Sequence, residues 1–423
     1  MGGDGGRAGG QPPDPALTTR GRALLLAAAL LLLAARLLGA VELAGLAAGA
    51  LVAVGLAMVR MRGQAVTYDV ARRLEPARVE VGSPALARLR FTNRSGRAAR
   101  HLTTAVDTFT TASGDGGRGA AGCIVPPLGP GEVAEATYDL PTARRGVVTA
   151  GPLRLCAADP LGLAEVTTET AAGARLIVHP RIEAVLAVPG SAHTEARLGS
   201  QHASRVPAGL DFFTLREYEA GDDVRRVHWR STARMGELML REDELPWESL
   251  ATVVCDTRAA AHSPDSFERA LEVAASVAAA VVRDGRRIRF VTTGGFELEA
   301  VGTARLTMLL DHLAAAVPDP HDHFARVLDT VRRRPVGPVV VVVGAIRPEE
   351  WAALGAVRPR SGVVMVADCS AGRGAAPSAR PTPSTSPAPV SGAVVVRVPP
   401  GTPLAPAWNQ AVLSCGRPAA ARR

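Results

Sequence analysis

The chain has 423 residues, more than one ordinary domain holds, and 47% of them are apolar, enough for two or three folded units with real cores. All 48 basic residues are arginine; without lysine, a P-loop, a Schiff base and a Ser/Lys dyad are excluded. The formal net charge of +8 suits either an anionic membrane surface or nucleic acid, and arginines spread over the whole chain favour the membrane. Cys123, Cys156, Cys255, Cys369 and Cys415 form no C-x-x-C or Cys/His cluster, so they read as reduced thiols rather than a zinc site or a disulfide framework.

Residues 1–22 are rich in Gly and Pro at their start, lack apolar periodicity and read as a disordered tail. Residues 23–60 are almost wholly apolar as far as Val59, broken only by Arg36 and Glu42. That is too long for one crossing of a ~30 Å hydrocarbon core and enough for two short ones, so the segment reads as a transmembrane helical hairpin turning near Leu38–Glu42. A cleaved signal peptide is the competing reading, since Arg20 and Arg22 precede the run and Leu38-Gly39-Ala40 resembles a cleavage site. Arg20, Arg22, Arg60, Arg62, Arg72 and Arg73 flank the hairpin against Arg36 alone near its turn, which predicts a multi-pass plasma-membrane protein with both ends and the bulk of the chain cytoplasmic.

From residue 66 to 185 the apolar period is two. Ala87, Leu89 and Phe91 alternate with Arg88, Arg90 and Thr92, and Ala134, Ala136, Tyr138 and Leu140 with Glu135, Thr137 and Asp139. Turn clusters at Asn93–Gly96, Ser113–Gly117 and Pro126–Gly131 separate such runs, giving an antiparallel β-sandwich. Over 250–415, Val-rich strands at Ala251–Cys255, Arg287–Val291, Val339–Val343, Gly362–Ala367 and Ala393–Val398 alternate with helical stretches at Ser266–Val282, Arg305–Val317 and Pro348–Val357. This predicts an α/β domain with a parallel sheet covered on both faces. Its Pro/Ser/Ala-rich insertion, 371–392, reads as a disordered loop.

Between these domains, 205–246 reads as a strand–helix–strand segment. Phe212 to Tyr218 suits a strand, Ala220-Gly221 a turn, Asp222 an N-cap with Asp223 in the first helical turn, Gly236 a left-handed C-terminal residue, and Glu237 to Arg241 a second strand. Arg226, Arg230 and Arg234 repeat every fourth residue along one helix face. Asp222 is placed to pair with Arg226 and Glu237 lies near Arg234, but no carboxylate stands three or four residues from Arg230. The stripe therefore needs an anion from elsewhere: a carboxylate such as Glu217, Glu219 or Glu242, or an external ligand. An ion-pair lattice with Trp229 packed into a joint is the bland account; a base at Asp222 or Asp223 with an arginine clamp is the enzymatic one. No nucleophile and no complete catalytic constellation is recognisable.

The run Leu215 to Glu242, LREYEAGDDVRRVHWRSTARMGELMLRE, resembles the signature of the bacterial membrane-anchored proteins grouped as domain of unknown function family 58. Arg144-Arg145-Gly146, Gly151-Pro152-Leu153 and Asp159-Pro160-Leu161-Gly162-Leu163 resemble that family's preceding region. The resemblance covers most of the chain and implies a multidomain protein: membrane hairpin, β-sandwich, signature, and a von Willebrand factor A-like α/β domain with a Rossmann-like parallel sheet. It implies an interaction surface carried by Arg216, Glu217, Tyr218, Gly221, Asp222, Asp223, Arg225, Arg226, Trp229, Arg230, Arg234, Gly236 and Arg241. It also implies a MoxR-type AAA+ ATPase as partner, and no established enzymatic activity.

A-like domains normally carry an Asp-x-Ser-x-Ser metal site after their first strand. Here the run is Asp256-Thr257-Arg258-Ala259-Ala260, with both serines absent and a cation in one place, so Asp256 is a weak metal candidate even with Thr292 and Thr293 nearby. His321-Asp322-His323, in a Pro-rich turn before a helix, reads as a solvated helix start. The expectation is thus a membrane-anchored scaffold without cofactor, metal or nucleic acid. The alternatives are an anion- or phosphate-handling hydrolase centred on Asp222, Asp223 and Arg230, and a basic nucleic-acid binder at the membrane.

Overall fold

The computed structural model describes residues 14–62, 68–99, 102–111, 117–170, 173–190, 213–217, 229–243, 250–333, 337–357, 363–370 and 393–415. Two compact units emerge, Met1–Pro180 with Ala314–Ala316, and Arg181–Leu313 with Val317–Arg423.

The first unit begins with two apolar helices, α1 (Thr19–Leu38) and α2 (Val41–Arg62), each long and apolar enough to cross a membrane. Gly39 takes the left-handed backbone (φ 67°) that ends α1 within the turn the sequence indicates. The expectation of a disordered 1–22 is corrected for its described part. Ala16–Leu17 forms a short strand, β1, and Thr18 caps α1 by accepting the Gly21 amide at 3.1 Å. The ordering comes from long-range partners: β1 pairs antiparallel with residues 164–165, which a search for local periodicity does not see.

The strands that follow are β2 (Tyr68–Glu75), β3 (Arg78–Glu80), β4 (Leu86–Asn93), β5 (Thr103–Thr111), β6 (Arg118–Val125), β7 (Val133–Asp139), β8 (Gly146–Ala158), β9 (Ala164–Thr170) and β10 (Ala174–His179). One sheet is β2-β4-β7; the other runs β1-β9-β8-β10-β3, with β5 on β8 and β6 on β5. Strand β8 is long enough to pair β10 with its first half and β9 with its second, while β5 runs along its other edge. Ala87, Leu89 and Phe91 are fully buried, as the alternation indicates: Leu89 and Phe91 meet Ala105, Val125, Leu153 and Leu155 of the opposing sheet, and Ala87 meets Val148, Leu176 and Val178. Burial of Phe91 alone is worth roughly 1.5–3 kcal/mol. The sandwich is not wholly antiparallel: β10 pairs with β3 in parallel, because the chain returns to the same sheet after six intervening strands rather than by a hairpin.

The second unit is built on a six-stranded sheet, β15-β14-β13-β16-β17-β18. Strands β13 (Leu250–Cys255), β14 (Arg287–Thr292), β16 (Val339–Val343), β17 (Val364–Asp368) and β18 (Ala393–Arg397) are mutually parallel, and β15 (Glu297–Ala300) adds an antiparallel edge. Five consecutive valines in β16 are completely buried, which requires cover on both faces. Helices α4 (Pro264–Arg283), α5 (Gly302–Ala315), α6 (Phe324–Arg333), α7 (Pro348–Gly355) and α8 (Leu404–Cys415) complete the unit, with α6 and α7 packing on the valine core. Ser263 and Ser266 form a capping box at the start of α4, followed by Pro264 in its first turn. Strand β15 and helix α8 lie outside the elements read from periodicity.

Residues 181–190 have no regular structure but are anchored within this unit, and the sequence division at 185 falls inside them. Glu183 accepts the amides of Leu404 and Ala405 at the N-terminus of α8 and pairs with Arg269 at 2.9 Å, while Trp408 donates its indole N–H to Leu186 at 2.9 Å. Burial pushes the Glu183 carboxyl up, but the Arg269 and backbone hydrogen bonds win and hold it below its ordinary value.

Candidate functional site

The residues singled out by sequence fall in two places. In the signature, β11 (Phe213–Glu217) pairs antiparallel with β12 (Met239–Asp243), and α3 (Trp229–Met235) lies between them in sequence. Arg216 and Glu217 stand on β11 and Arg241 opposite Leu215 on β12. Tyr218, Gly221, Asp222, Asp223, Arg225 and Arg226 lie outside the described residues. Gly236 has φ 79° and donates its amide to Thr232, the helix ending expected there. Trp229 is 67% exposed; Met235 is equally open, and Arg230 and Arg234 are exposed beside them. Among the described residues neither arginine makes an ion pair.

The second place is the carboxyl edge of the parallel sheet. Asp256 follows β13 directly and is fully buried. Parallel strands present their carboxyl ends at one edge, so Thr293 after β14 and the loop after β16 converge there. Backbone bonds fix the geometry: Ala259 donates to Asp319 and Asp319 to Thr257, each at 2.7 Å, tying residues 257–259 to the loop before α6.

Here the two sequence candidates behave oppositely. Of the two threonines, Thr293 does converge: its Oγ1 lies 3.3 Å from Asp256 Oδ1 and 3.1 Å from Thr257 Oγ1, and its hydroxyl accepts the Thr257 amide at 2.7 Å, whereas Thr292 accepts the Phe296 amide at 3.1 Å. The cation at position 258, however, is not a mere lost ligand. Arg258 turns back on Asp256, donating Nε to Oδ1 at 3.0 Å and Nη2 to Oδ2 at 2.9 Å, a bidentate pair in which both partners are buried. Its Nη1 reaches Glu350 Oε1 at 2.6 Å and Asp322 Oδ1 at 3.2 Å, and the guanidinium lies 4.5 Å from the Phe324 ring centroid.

Glu350 is in turn placed by α7. In the first turn of that helix it accepts the Arg347 amide at 2.8 Å and the Arg347 side chain at 2.7 Å. Burial pushes the Glu350 carboxyl up, yet the hydrogen bonds from Arg258 and Arg347 outweigh it and hold the group below its usual range; Asp322 is lowered by the same balance, aided by the Phe324 amide. Burial works against the Arg258 charge too, but Asp256 and Glu350 raise its pKa still further. His262 closes one side, its Nε2 donating to the Asp256 carbonyl at 2.9 Å with Nδ1 facing Ser266; burial lowers the pKa of this imidazole below its ordinary value.

Chemically, the guanidinium stands among the oxygens that a divalent cation would need. Asp256, Thr257 and Thr293 are the oxygen donors on hand, and a metal would have to displace Arg258 to reach the carboxylate. His321 is exposed and bonded to Asp319, and Asp322 accepts the Phe324 amide at the start of α6. Among the described residues no group of three or more His, Cys, Asp or Glu is arranged to hold a metal. Sequence reading missed Glu350, Asp322 and Asp319 as members of this cluster. The available signal was the paired Glu349-Glu350 after Pro348, which marks a helix start whose carboxylates face an N-terminus.

Fold and sites together define a class: a protein with two apolar N-terminal helices, mixed and antiparallel sheets and an α/β region. The family model "Protein of unknown function DUF58" matches residues 214–370, covering the signature and the sheet as far as β17. The chain is similar to the "Uncharacterized protein YeaD" of Bacillus subtilis, 27% identical over 199 residues, which is 45% of this chain and 48% of that protein. The chain thus spans about half the length of the curated relative it matches. Among solved structures, the putative ApaA protein of Bordetella pertussis is 16% identical with a TM-score of 0.19, covering 27% of this chain and 93% of that one. A β-glucosidase of Bifidobacterium adolescentis is 15% identical with a TM-score of 0.20, over 32% and 21%. Scores at that level carry no argument about fold or activity.

Proposed function

We propose that the chain is a membrane-anchored scaffold whose α/β domain, von Willebrand factor A-like in kind, and arginine-rich signature bind a protein partner. The hairpin makes it a multi-pass plasma-membrane protein with the bulk of the chain cytoplasmic. The observation that carries the reading is Arg258: the carboxylate best placed for chemistry, Asp256, is engaged on both oxygens by an internal cation. Such a site is built for rigidity rather than turnover, and it stands after the first strand of the sheet, where an A-like domain places its metal. The exposed Trp229 and Met235 beside Arg230 and Arg234 support docking, since an aromatic flanked by arginines is the composition of interface centres. The partner proposed is an AAA+ ATPase of MoxR type.

The test is affinity capture of the full-length protein from detergent-solubilised membranes, native beside Arg230→Glu. Recovery of the ATPase with the native protein and its loss from a folded variant supports the scaffold. Turnover of phosphate esters that Asp223→Asn abolishes would replace it with the hydrolase, and steeply salt-dependent binding of DNA or RNA with a nucleic-acid binder.

A further inference from the structure

The turn between β8 and β9, Asp159-Pro160-Leu161-Gly162-Leu163, is fastened to the base of the hairpin. Thr18, the N-cap of α1, donates its amide to the Leu163 carbonyl at 3.0 Å and its hydroxyl to the Gly162 carbonyl at 2.6 Å, next to the β1–β9 pairing. A Cβ on Gly21 would fall 2.1 Å from the Leu163 carbonyl oxygen, so only glycine permits this approach. Val54, Ala57 and Met61 of α2 share a buried cluster with Leu163, Ala164 and Val166, and Leu24, Leu25 and Ala53 pack at its margin.

That seam sets a length problem. It reaches Leu25 on α1 and Ala53 on α2, leaving Leu26–Leu38 and Val41–Val52 beyond it, only about 18–20 Å at 1.5 Å per residue. A hydrocarbon core is about 30 Å thick, which the full 20- and 22-residue helices just match. If the hairpin crosses, the turn beside it must share the interfacial layer.

The turn is built to tolerate that. Backbone entering an apolar medium must satisfy its polar groups internally. The amides of Leu161, Leu163 and Ala164 all donate to the Asp159 carboxylate (2.9, 2.6 and 2.6 Å), and that of Gly162 to the Asp159 carbonyl at 2.8 Å. Thr18 takes the carbonyls of residues 162 and 163. Leu161 is nevertheless 64% exposed, and the Arg20 side chain lies against the neighbouring Gly162. An exposed leucine on a turn whose amides are all satisfied internally, with an arginine at hand, has the character of an interfacial anchor.

We propose that residues 159–163 enter the bilayer interface, with the Leu161 side chain seated at the headgroup–acyl boundary beside the hairpin. The occupant of this surface is lipid, and the inference rests on the membrane reading above. It makes the sandwich a membrane-seated platform rather than a domain hung on a linker.

The test uses the full chain in phosphatidylcholine–phosphatidylglycerol vesicles, with Cys123, Cys156 and Cys415 replaced by serine, Cys255 and Cys369 being buried. A nitroxide is attached at Leu161→Cys, at Leu33→Cys in α1, or at Ile124→Cys, an exposed position on β6. The ratio of oxygen to nickel-chelate collision reads depth. At 161 it is expected several-fold above that at 124 and below that at 33. A ratio at 161 equal to that at 124, with 33 in lipid, overturns the proposal and leaves the anchor standing. Aqueous values at both 33 and 161 overturn the proposal and the membrane reading together.

Discussion

A buried arginine is paired with acid in each unit of the protein, Arg72 in the sandwich and Arg258 in the α/β unit, and the two sites differ in charge balance. In the sandwich, Arg72 of β2 pairs with Asp107 of β5 at 2.6 Å and donates to the Ala150 carbonyl at 3.0 Å, while Tyr138 donates to the other oxygen of Asp107. Arg72 and Tyr138 belong to one sheet and Asp107 and Ala150 to the other, so a neutral pair pins the two faces together. In the α/β unit, Arg258 and Arg347 face Asp256, Glu350 and Asp322, an excess of negative charge at an edge that meets solvent through Asp322 and Arg347. A neutral pin enclosed between sheets resists change in place; an edge cluster with surplus carboxylates depends on its central cation.

Removing the cations tests this first. Arg258→Leu leaves the buried Asp256 without its cation and Glu350 with Arg347 alone, and is expected to destabilise the α/β unit by about 3–5 kcal/mol in urea unfolding. Arg72→Leu strands only Asp107, still bonded by Tyr138, and is expected at the lower end, about 3 kcal/mol. An equal or larger loss for Arg72→Leu would break the contrast. Adding Glu350→Gln to Arg258→Leu should recover part of the loss, because a neutral amide costs less to bury.

Acid and base should then separate the units. His262 has its pKa lowered from 6.5 by burial, so the unfolded chain binds the extra proton and the α/β unit loses stability as pH falls below about 6.5. Tyr138 is raised above 10 by burial and by its bond to Asp107, so the folded sandwich holds a proton that the unfolded chain releases, and stability falls as pH rises past about 10. Thermal melts across pH, native beside His262→Gln and Tyr138→Phe, read both slopes; each variant should flatten only its own.

Smaller effects mark the limits. Gly236→Ala forces a Cβ onto a left-handed residue with open space around it, a purely conformational cost of about 1 kcal/mol seen as a lowered melting temperature. Asp322→Asn removes a half-exposed partner of Arg258 and should cost under about 1 kcal/mol, since solvent screens it. A loss as large as that of Arg258→Leu would mean the edge cluster acts as one unit.

Much of the architecture was legible locally. The alternation of Ala87, Leu89 and Phe91, the valine run of β16 and the glycine ending α3 are set by neighbours in sequence, and each stands in the fold as its pattern indicates. The candidate site was half legible. Asp256 and Thr293 were recognisable as oxygen donors after buried strands, but Thr257 was not, and Arg258 read as a missing ligand because its partner Glu350 lies 92 residues away.

By itself, then, the sequence determined which stretches are helices and strands, which faces are apolar and where chemistry is absent for want of lysine or clustered cysteine. The tertiary structure decided the pairings: Arg72 with Asp107 across two sheets, Arg258 with Asp256 and Glu350 at a sheet edge, and β1 with β9 where the tail looked unstructured. The physical reason is range. Periodicity records whether a side chain faces a core, whereas the partner of a buried charge is chosen by whichever loop the fold brings within about 3 Å of it.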